Sequence, residues 1–149
     1  MQISERFAAA VHLLCYIHSN SRLERVTSET AAESVGVNPV VVRNIMRQLR
    51  KNRLITVDRT SGILLAKQAK KISLYDVYRA VEAVDPDGLF RFPASPSEQC
   101  EIGKVIRPVL GKKLSAAQKA MEKELKSVSL EDLQKDIRKT VRRAEETAG

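Results

Sequence analysis

The stretch NPVVVRNIMRQLRK, residues 38–51, decides how the rest of the chain is read. Asn38 is a good helix cap, and Pro39 fits the first helical position, where its missing N–H breaks no intrahelical bond. From there Val42, Ile45, Met46 and Leu49 recur at helical spacing and form one apolar face. Val40, Val41, Arg43, Asn44 and Arg47 then fall on the other face. β-branched residues in the first turn of a short basic helix are poor helix formers. If they are exposed there, they need a reason outside the helix.

The residues on either side supply a context. In VTSETAAESVGV, residues 26–37, Thr27 or Ser28 can cap a helix that carries Ala31, Ala32 and Val35 inward. Gly36 suits the left-handed turn that follows. Ala32 is small where two steeply crossing helices touch, and Val42 and Ile45 point back from the second helix. Together these offsets describe a helix-turn-helix. After it, LITVDR and ILLAK flank a TSG turn and predict a two-stranded hairpin, the wing of a winged helix-turn-helix.

Such a motif puts the N-terminal end of its second helix into the major groove of DNA. There an apolar side chain packs on the thymine methyl, Asn pairs with adenine and Arg with guanine. Val40 and Val41, beside Pro39 and flanked by Arg43, Asn44 and Arg47, are therefore candidate base readers. The competing reading packs Val40 or Val41 under the wing or against the first helix. Ser28 and the first amides of its helix suit phosphate. Arg50, Lys51 and Arg53, with Arg59, Thr60 and Ser61 on the wing, are candidates for phosphate or the minor groove, although any single one could be a solvated surface residue.

Bulk properties agree. The chain has 149 residues, 43% hydrophobic and 30% charged, which is the balance of a folded globular protein. Its formal charge of +8 is concentrated: residues 38–71 hold nine Lys or Arg and one acid, so the remainder sums to zero. A localised basic segment points to double-stranded DNA more strongly than a basic average does. The second reading is a winged domain used as a protein-interaction adaptor without sequence-specific DNA contact. Two cysteines make no disulfide framework, no signal peptide pattern is visible, and the longest apolar run, FAAAVHLLCYI, is too short to span a bilayer. A cytoplasmic location with no membrane association is expected. No catalytic triad, phosphate loop or paired catalytic carboxylates point to an enzyme. His12 and His18 are six residues apart, on different helical faces, and do not form a metal pair.

The remaining pattern is helical. A first helix from Ser4 has Ile3, Phe7, Ala10, Val11, Leu14 and Cys15 on one face, with Cys15 in the core. Ser73 and Asp76 form a capping box before a fourth helix with Leu74, Val77, Val81 and Val84, and Tyr75 and Tyr78 pack beside it. DPDGLFRFPASPSEQC, residues 85–100, reads as a long loop. From Ile102 an apolar stripe steps by three or four through residues 106, 110, 114, 117, 121, 125 and 128, and Pro108 is expected to kink or restart this helix. Ser129 and Asp132 cap a last helix lined by Leu130, Leu133, Ile137, Val141 and Ala144. The predicted fold is mainly α with a small β-hairpin.

Several segments occur in a familiar order: ISERFAAAVHLL, VTSETAAESVGVNPVVVRNIMRQLRKNRLI, KKISLYDVYRAVE and CEIGKVIRPVLGKKLSAAQKAMEKELKSVSLEDL. Over nearly its whole length the chain resembles the Rrf2 family of bacterial transcription regulators. The resemblance implies a winged helix-turn-helix DNA-binding domain over 1–84, a sensor-type loop over 85–101, and a dimerisation helix with a C-terminal helix over 102–149. It implies a repressor that binds a palindromic operator as a homodimer through the long helix, residues 102–128; the stripe alone fits packing onto its own domain equally well. Many members hold an iron–sulfur cluster with three loop cysteines and one further ligand. Here only Cys100 lies in the loop, so no cluster and no other metal is expected. The wing also lacks the family's usual glycine-glycine-tyrosine. Cys100 is left as a candidate redox sensor. The dipole of the helix it precedes favours its thiolate, while Glu98 and Glu101 oppose it. The alternative is an inert cysteine.

Overall fold

The fold is that of a computed structural model, which describes residues 3–81 and 89–149. The expectations for Val84, Pro86 and Gly88, and for the side chain of Ile3, lie outside the described residues. The first helix, α1 (Ile3–Asn20), is the centre of the molecule. Ala10, Leu14 and Cys15 are buried as expected, but Ala9, Leu13 and Ile17 join them, while Phe7 and Val11 are only partly covered. The buried face is wider than one stripe because other helices pack on α1 from several sides. Burial pushes the Cys15 thiol up to about 11.

Helices α2 (Ser28–Val35) and α3 (Pro39–Lys51) make the helix-turn-helix. Of the two possible caps, Thr27 is the one used: its hydroxyl accepts from the Thr30 amide at 3.2 Å, and the Thr30 hydroxyl accepts from the Thr27 amide at 3.0 Å. Gly36 takes φ 78°, the left-handed conformation that ends α2, and its N–H donates to the Ala32 carbonyl at 2.9 Å. The Asn38 side chain accepts from the Val40 amide at 2.8 Å, and Pro39 occupies the first turn. Val42, Ile45 and Leu49 are buried against α1 and α2, with Met46 at the margin. At the other end, the Leu54 N–H reaches back to the Leu49 carbonyl at 3.0 Å, and Arg53 stands at φ 59°. This is a Schellman closure, with Leu49 and Leu54 both buried and an arginine where glycine is usual.

The wing follows as strands β1 (Ile55–Asp58) and β2 (Gly62–Leu65), paired antiparallel with Ile55 opposite Leu65 and Asp58 opposite Gly62. Ile63 donates to the Val26 carbonyl at 3.1 Å, so the linker before α2 lies alongside β2. Gly62 sits there at φ 79°; a Cβ on it would meet the Val26 carbonyl oxygen at 2.5 Å.

A short 3-10 turn (Ala69–Lys71) leads to α4 (Leu74–Val81), capped by Ser73 and Asp76. Tyr78 is buried edge-on to Phe7, and Tyr75 carries the Lys126 ammonium 4.4 Å above its ring, which ties α4 to the next helix. That helix, α5 (Glu101–Ser127), runs unbroken through Pro108. The expected restart does not occur. Pro108 removes one backbone hydrogen bond from a helix of 27 residues, and the turns on either side carry the helix through. Residues 89–100 lie back along α5 in descending register. The Leu89 amide donates to Gln118 at 3.0 Å, the Phe92 ring lies 4.0 Å from a Cβ placed on Gly111, Arg107 donates to the Pro93 carbonyl at 3.1 Å, and the Ser97 carbonyl covers Gly103.

The last helix, α6 (Leu130–Ala148), is capped by Ser129 and Asp132 as expected. Its start is clamped to the front of α4: Leu74 donates to the Val128 carbonyl at 2.9 Å and Leu130 to the Ile72 carbonyl at 2.8 Å. Leu130 and Gln134 are buried and Leu133 partly so. The expected lining by Ile137, Val141 and Ala144 is not found; all three are exposed, because only the first turns of α6 lie against α1 and the 3-10 turn.

Candidate nucleic-acid interface

The α3 helix presents one polar face outward because Val42, Ile45 and Leu49 commit the opposite face to the core. Val40 projects with 53% of its surface exposed, and Arg43, Asn44, Arg47, Arg50 and Lys51 are all exposed. Pro39 is half-buried at the helix start. Val41 departs from the expected outward pair: it is half-buried and packs against the core. It stands one turn before buried Ile45, on the border between the two faces. It still borders a groove with Asn44, Arg47 and Gln48 whose far wall is Arg6 of α1.

The candidate base readers are already bonded to one another or to neighbours. The Arg47 guanidinium donates to the Asn44 side-chain oxygen at 3.2 Å. Arg43 lies 3.4 Å from the Glu29 carboxylate. Glu29 sits in the first turn of α2, where its own backbone N–H, then the Ser28 hydroxyl, then the Thr27 hydroxyl and last Arg43 hold its carboxyl below the usual range. Ser28 is therefore engaged with Glu29, its Oγ donating at 3.1 Å. The ion pair is solvent-exposed and adds little stability. Its effect is to hold the Arg43 head at a defined place beside the start of α3.

The wing tip is built around Asp58. Its carboxylate accepts from the amides of Thr60 at 2.7 Å and Ser61 at 2.9 Å. Those two bonds, Ser61 first, keep its carboxyl ionised to lower pH than usual. The tip therefore presents Arg59, Thr60 and Ser61, all exposed, on a preformed turn. From the α1–α2 linker, Arg25 Nε donates to the Arg59 carbonyl at 3.2 Å and fixes the tip from below. Arg53 is exposed in its left-handed conformation between α3 and β1.

One surface thus carries the exposed Val40, the cations of α3 and the hairpin tip. Arg6, Arg25 and Glu29 belong to this surface and were not apparent in the sequence. Arg6 lies off the apolar face of its helix, Arg25 acts across 34 residues, and Glu29 looks like an ordinary first-turn acid. Cys100 lies elsewhere. It is the exposed N-cap residue of α5, with no capping hydrogen bond from its side chain. His12 pairs with the Ser34 hydroxyl at 3.1 Å. Among the described residues no three His, Cys, Asp or Glu side chains converge on a point, and no helix is long and apolar enough to cross a membrane.

Residues 3–136 match the Rrf2 family, described as an iron-dependent transcriptional regulator. The chain is 39% identical over 132 residues to a protein from Bacillus subtilis (strain 168) classed by name as an HTH-type transcriptional regulator, YwnA, covering 88% of this chain and 96% of that protein. A solved structure named for DNA binding superposes with a TM-score of 0.67 at 36% identity, covering 86% of this chain and 97% of the other. The structure of IscR from T. potens superposes with a TM-score of 0.68 at 21% identity, over 92% and 88% of the two chains. At that identity it bears on the fold alone.

Proposed function

This chain belongs to the Rrf2 family, whose members are DNA-binding transcriptional regulators and not enzymes, and from that premise we propose that it acts in the cytoplasm as a homodimeric repressor on a palindromic operator. The observation that carries the reading is the shared surface of α3 and the wing, where Val40, Arg43, Asn44 and Arg47 stand at the end of the helix that enters a major groove. In this reading Val40 packs on a thymine methyl, Asn44 and Arg47 take base edges, and Val41 supports them from the rim. Pro39 and Asn38 set the angle of the helix end. Ser28, Arg50, Lys51, Arg53 and the wing residues Arg59, Thr60 and Ser61 hold the backbone.

The dimer rests on α5. Ile102, Val105, Ile106, Val109 and Leu110 are 37–69% exposed and lie on one helical side. The expected stripe thus gains Val105 and Val109, while Leu114, Met121, Leu125 and Val128 are partly covered within the chain. Crossing two copies of the exposed half removes this apolar surface from water and sets two wings in symmetric positions.

We read the protein as free of an iron–sulfur cluster, in contrast to the family's description. The donor set does not fit one: the sequence has two cysteines, Cys15 is buried in α1 and Cys100 stands alone at the head of α5. Cys100 is instead the redox-responsive group of this reading. A peroxide would take its thiol to the sulfenic acid with release of water, next to the exposed stripe.

The test is a gel shift with genomic fragments against random duplex, across salt. Arg47→Ala is expected to weaken specific binding by roughly 1–3 kcal/mol and to leave non-specific binding nearly intact. Equal loss on both duplexes would remove Arg47 from the base readers. Peroxide titration of operator binding, with Cys100→Ser as control, tests the thiol; a mutant that responds like the wild type refutes that part.

A further inference from the structure

The basic run does not all belong to the DNA surface. Lys67 and Lys70 lie past the hairpin and line a cavity of about 730 Å³ between the end of α1, the segment after β2 and the first turn of α6. His18 of α1 and Arg22, in the turn that follows it, line it too, and Glu131 is its acidic group. Twelve residues of helix separate His18 from Arg6, which borders the groove beside α3, so the cavity is about 18 Å further along α1.

Three features point to a ligand. The volume is within the range of small-molecule sites. Among the described residues, Arg22, Lys67 and Lys70 have no ion pair or side-chain hydrogen bond, whereas Glu131 already has Lys135 at 4.0 Å. Half-buried Leu64 supplies an apolar wall beside the cations. Three cations without partners among the described residues line one concavity, and a multivalent anion there would take charge-assisted hydrogen bonds from them.

The location adds a consequence. Leu64 is in β2, one of the two strands of the wing, and Lys67 and Lys70 follow that strand directly. A ligand held by Lys67, Lys70 and Arg22 ties the segment directly after β2 to the turn that follows α1, at the base of the wing.

We propose that this cavity binds a small multivalent anion bearing carboxylate or phosphate groups, held by Arg22, Lys67 and Lys70, and that its occupation alters the wing's engagement of DNA. The second half rests on the DNA-binding reading above; the first half does not.

Calorimetry on the full chain at constant ionic strength, with citrate and with pyrophosphate as probes, tests both halves. One probe is expected to bind once per chain, and which one binds separates carboxylate from phosphate. The Lys67→Gln/Lys70→Gln double variant, checked for unchanged circular dichroism, should bind it about tenfold or more weakly, while Arg47→Ala binds it normally. The bound probe should change operator affinity by about fivefold or more. The site is overturned if neither probe binds, if the double variant binds like the wild type, or if Arg47→Ala abolishes binding, which would place the anion on the DNA surface. A bound probe with unchanged operator affinity overturns the regulatory half alone. A chain that takes the probe but no duplex at all refutes the DNA-binding reading and leaves the site assigned.

Discussion

The side-chain amide of Gln134 donates to the backbone carbonyl of Cys15 at 2.7 Å inside the protein, and its oxygen accepts from the Ser19 hydroxyl at 3.3 Å. Gln134 is only 2% exposed, so this pair of bonds joins the last helix to the first across the interior. A buried amide is tolerated only when its bonds are made. Gln134→Ala is therefore expected to lower stability by about 1–3 kcal/mol in urea unfolding. A change under about half a kcal/mol would show that α6 is held by Leu130 and its clamp alone.

Gly62→Ala tests how the wing is anchored. The added Cβ would meet the Val26 carbonyl oxygen at 2.5 Å, from a backbone already at φ 79°. A backbone atom cannot rotate away as a side chain can. The expected cost is about 2–4 kcal/mol by thermal unfolding, with weaker operator binding. A variant as stable as wild type would mean that the linker before α2 is not seated on β2.

Arg53 offers the opposite case. An L residue at φ 59° carries steric strain that glycine avoids. Arg53→Gly should leave stability unchanged or raise it by up to about 1 kcal/mol, because the relief is partly offset by a more flexible unfolded chain. Non-specific DNA affinity should fall and its salt dependence should become shallower, as one cation leaves the surface. Undiminished affinity would show that the arginine is kept for some reason other than phosphate.

Acid should loosen two caps together. The carboxyl of Asp58 is lowered by the Ser61 and Thr60 amides, and that of Asp132 by the Ser129 amide and hydroxyl. A group whose carboxyl is lowered on folding contributes fully above its unfolded value, and the contribution is lost as pH falls through the lowered one. Stability from these caps is thus present at neutral pH and disappears below about pH 4. Asp132→Asn should reduce stability at pH 7 and flatten the acid limb of a stability–pH profile. A limb identical to wild type would exclude Asp132 as a source of acid sensitivity.

The exposed part of α5 is the place to break a dimer. Val105 is 52% and Val109 58% exposed. Val105→Glu/Val109→Glu should leave the monomer folded, since neither side chain touches its own core, and should convert a dimer to a monomer in analytical ultracentrifugation. Operator affinity should then drop toward that of a single half-site. A variant that still sediments as a dimer would move the interface off this stripe.

Local chemistry made much of this fold legible in advance. The caps at Asn38, Ser73 and Ser129, the turn at Gly36 and the hairpin around TSG each depend on bonds among residues within about four positions, so the residue types reveal them. The periodic face of Val42, Ile45 and Leu49 was equally plain, and with it the outward set of Val40, Arg43, Asn44 and Arg47. The misses have a common cause. Val41 falls on the border of two faces, where a small rotation decides burial. Pro108 does not restart the helix, because one lost backbone bond is outweighed by the turns on either side of it in α5. Ile137 and Val141 keep helical spacing, yet no described element lies where they point.

By itself, then, the sequence determined the order of elements, the helix-turn-helix with its wing, and the concentration of positive charge between residues 38 and 71. Only the tertiary structure decided that Arg6 and Arg25 join the α3 surface, that Gln134 reaches Cys15, and that Lys67 and Lys70 turn away to share a cavity with Arg22. The reason is one of range. Backbone capping and helical periodicity act over a few residues and are written in the order of side chains, whereas which distant cations converge is set by how α1, β2 and α6 pack, and that depends on the whole core at once.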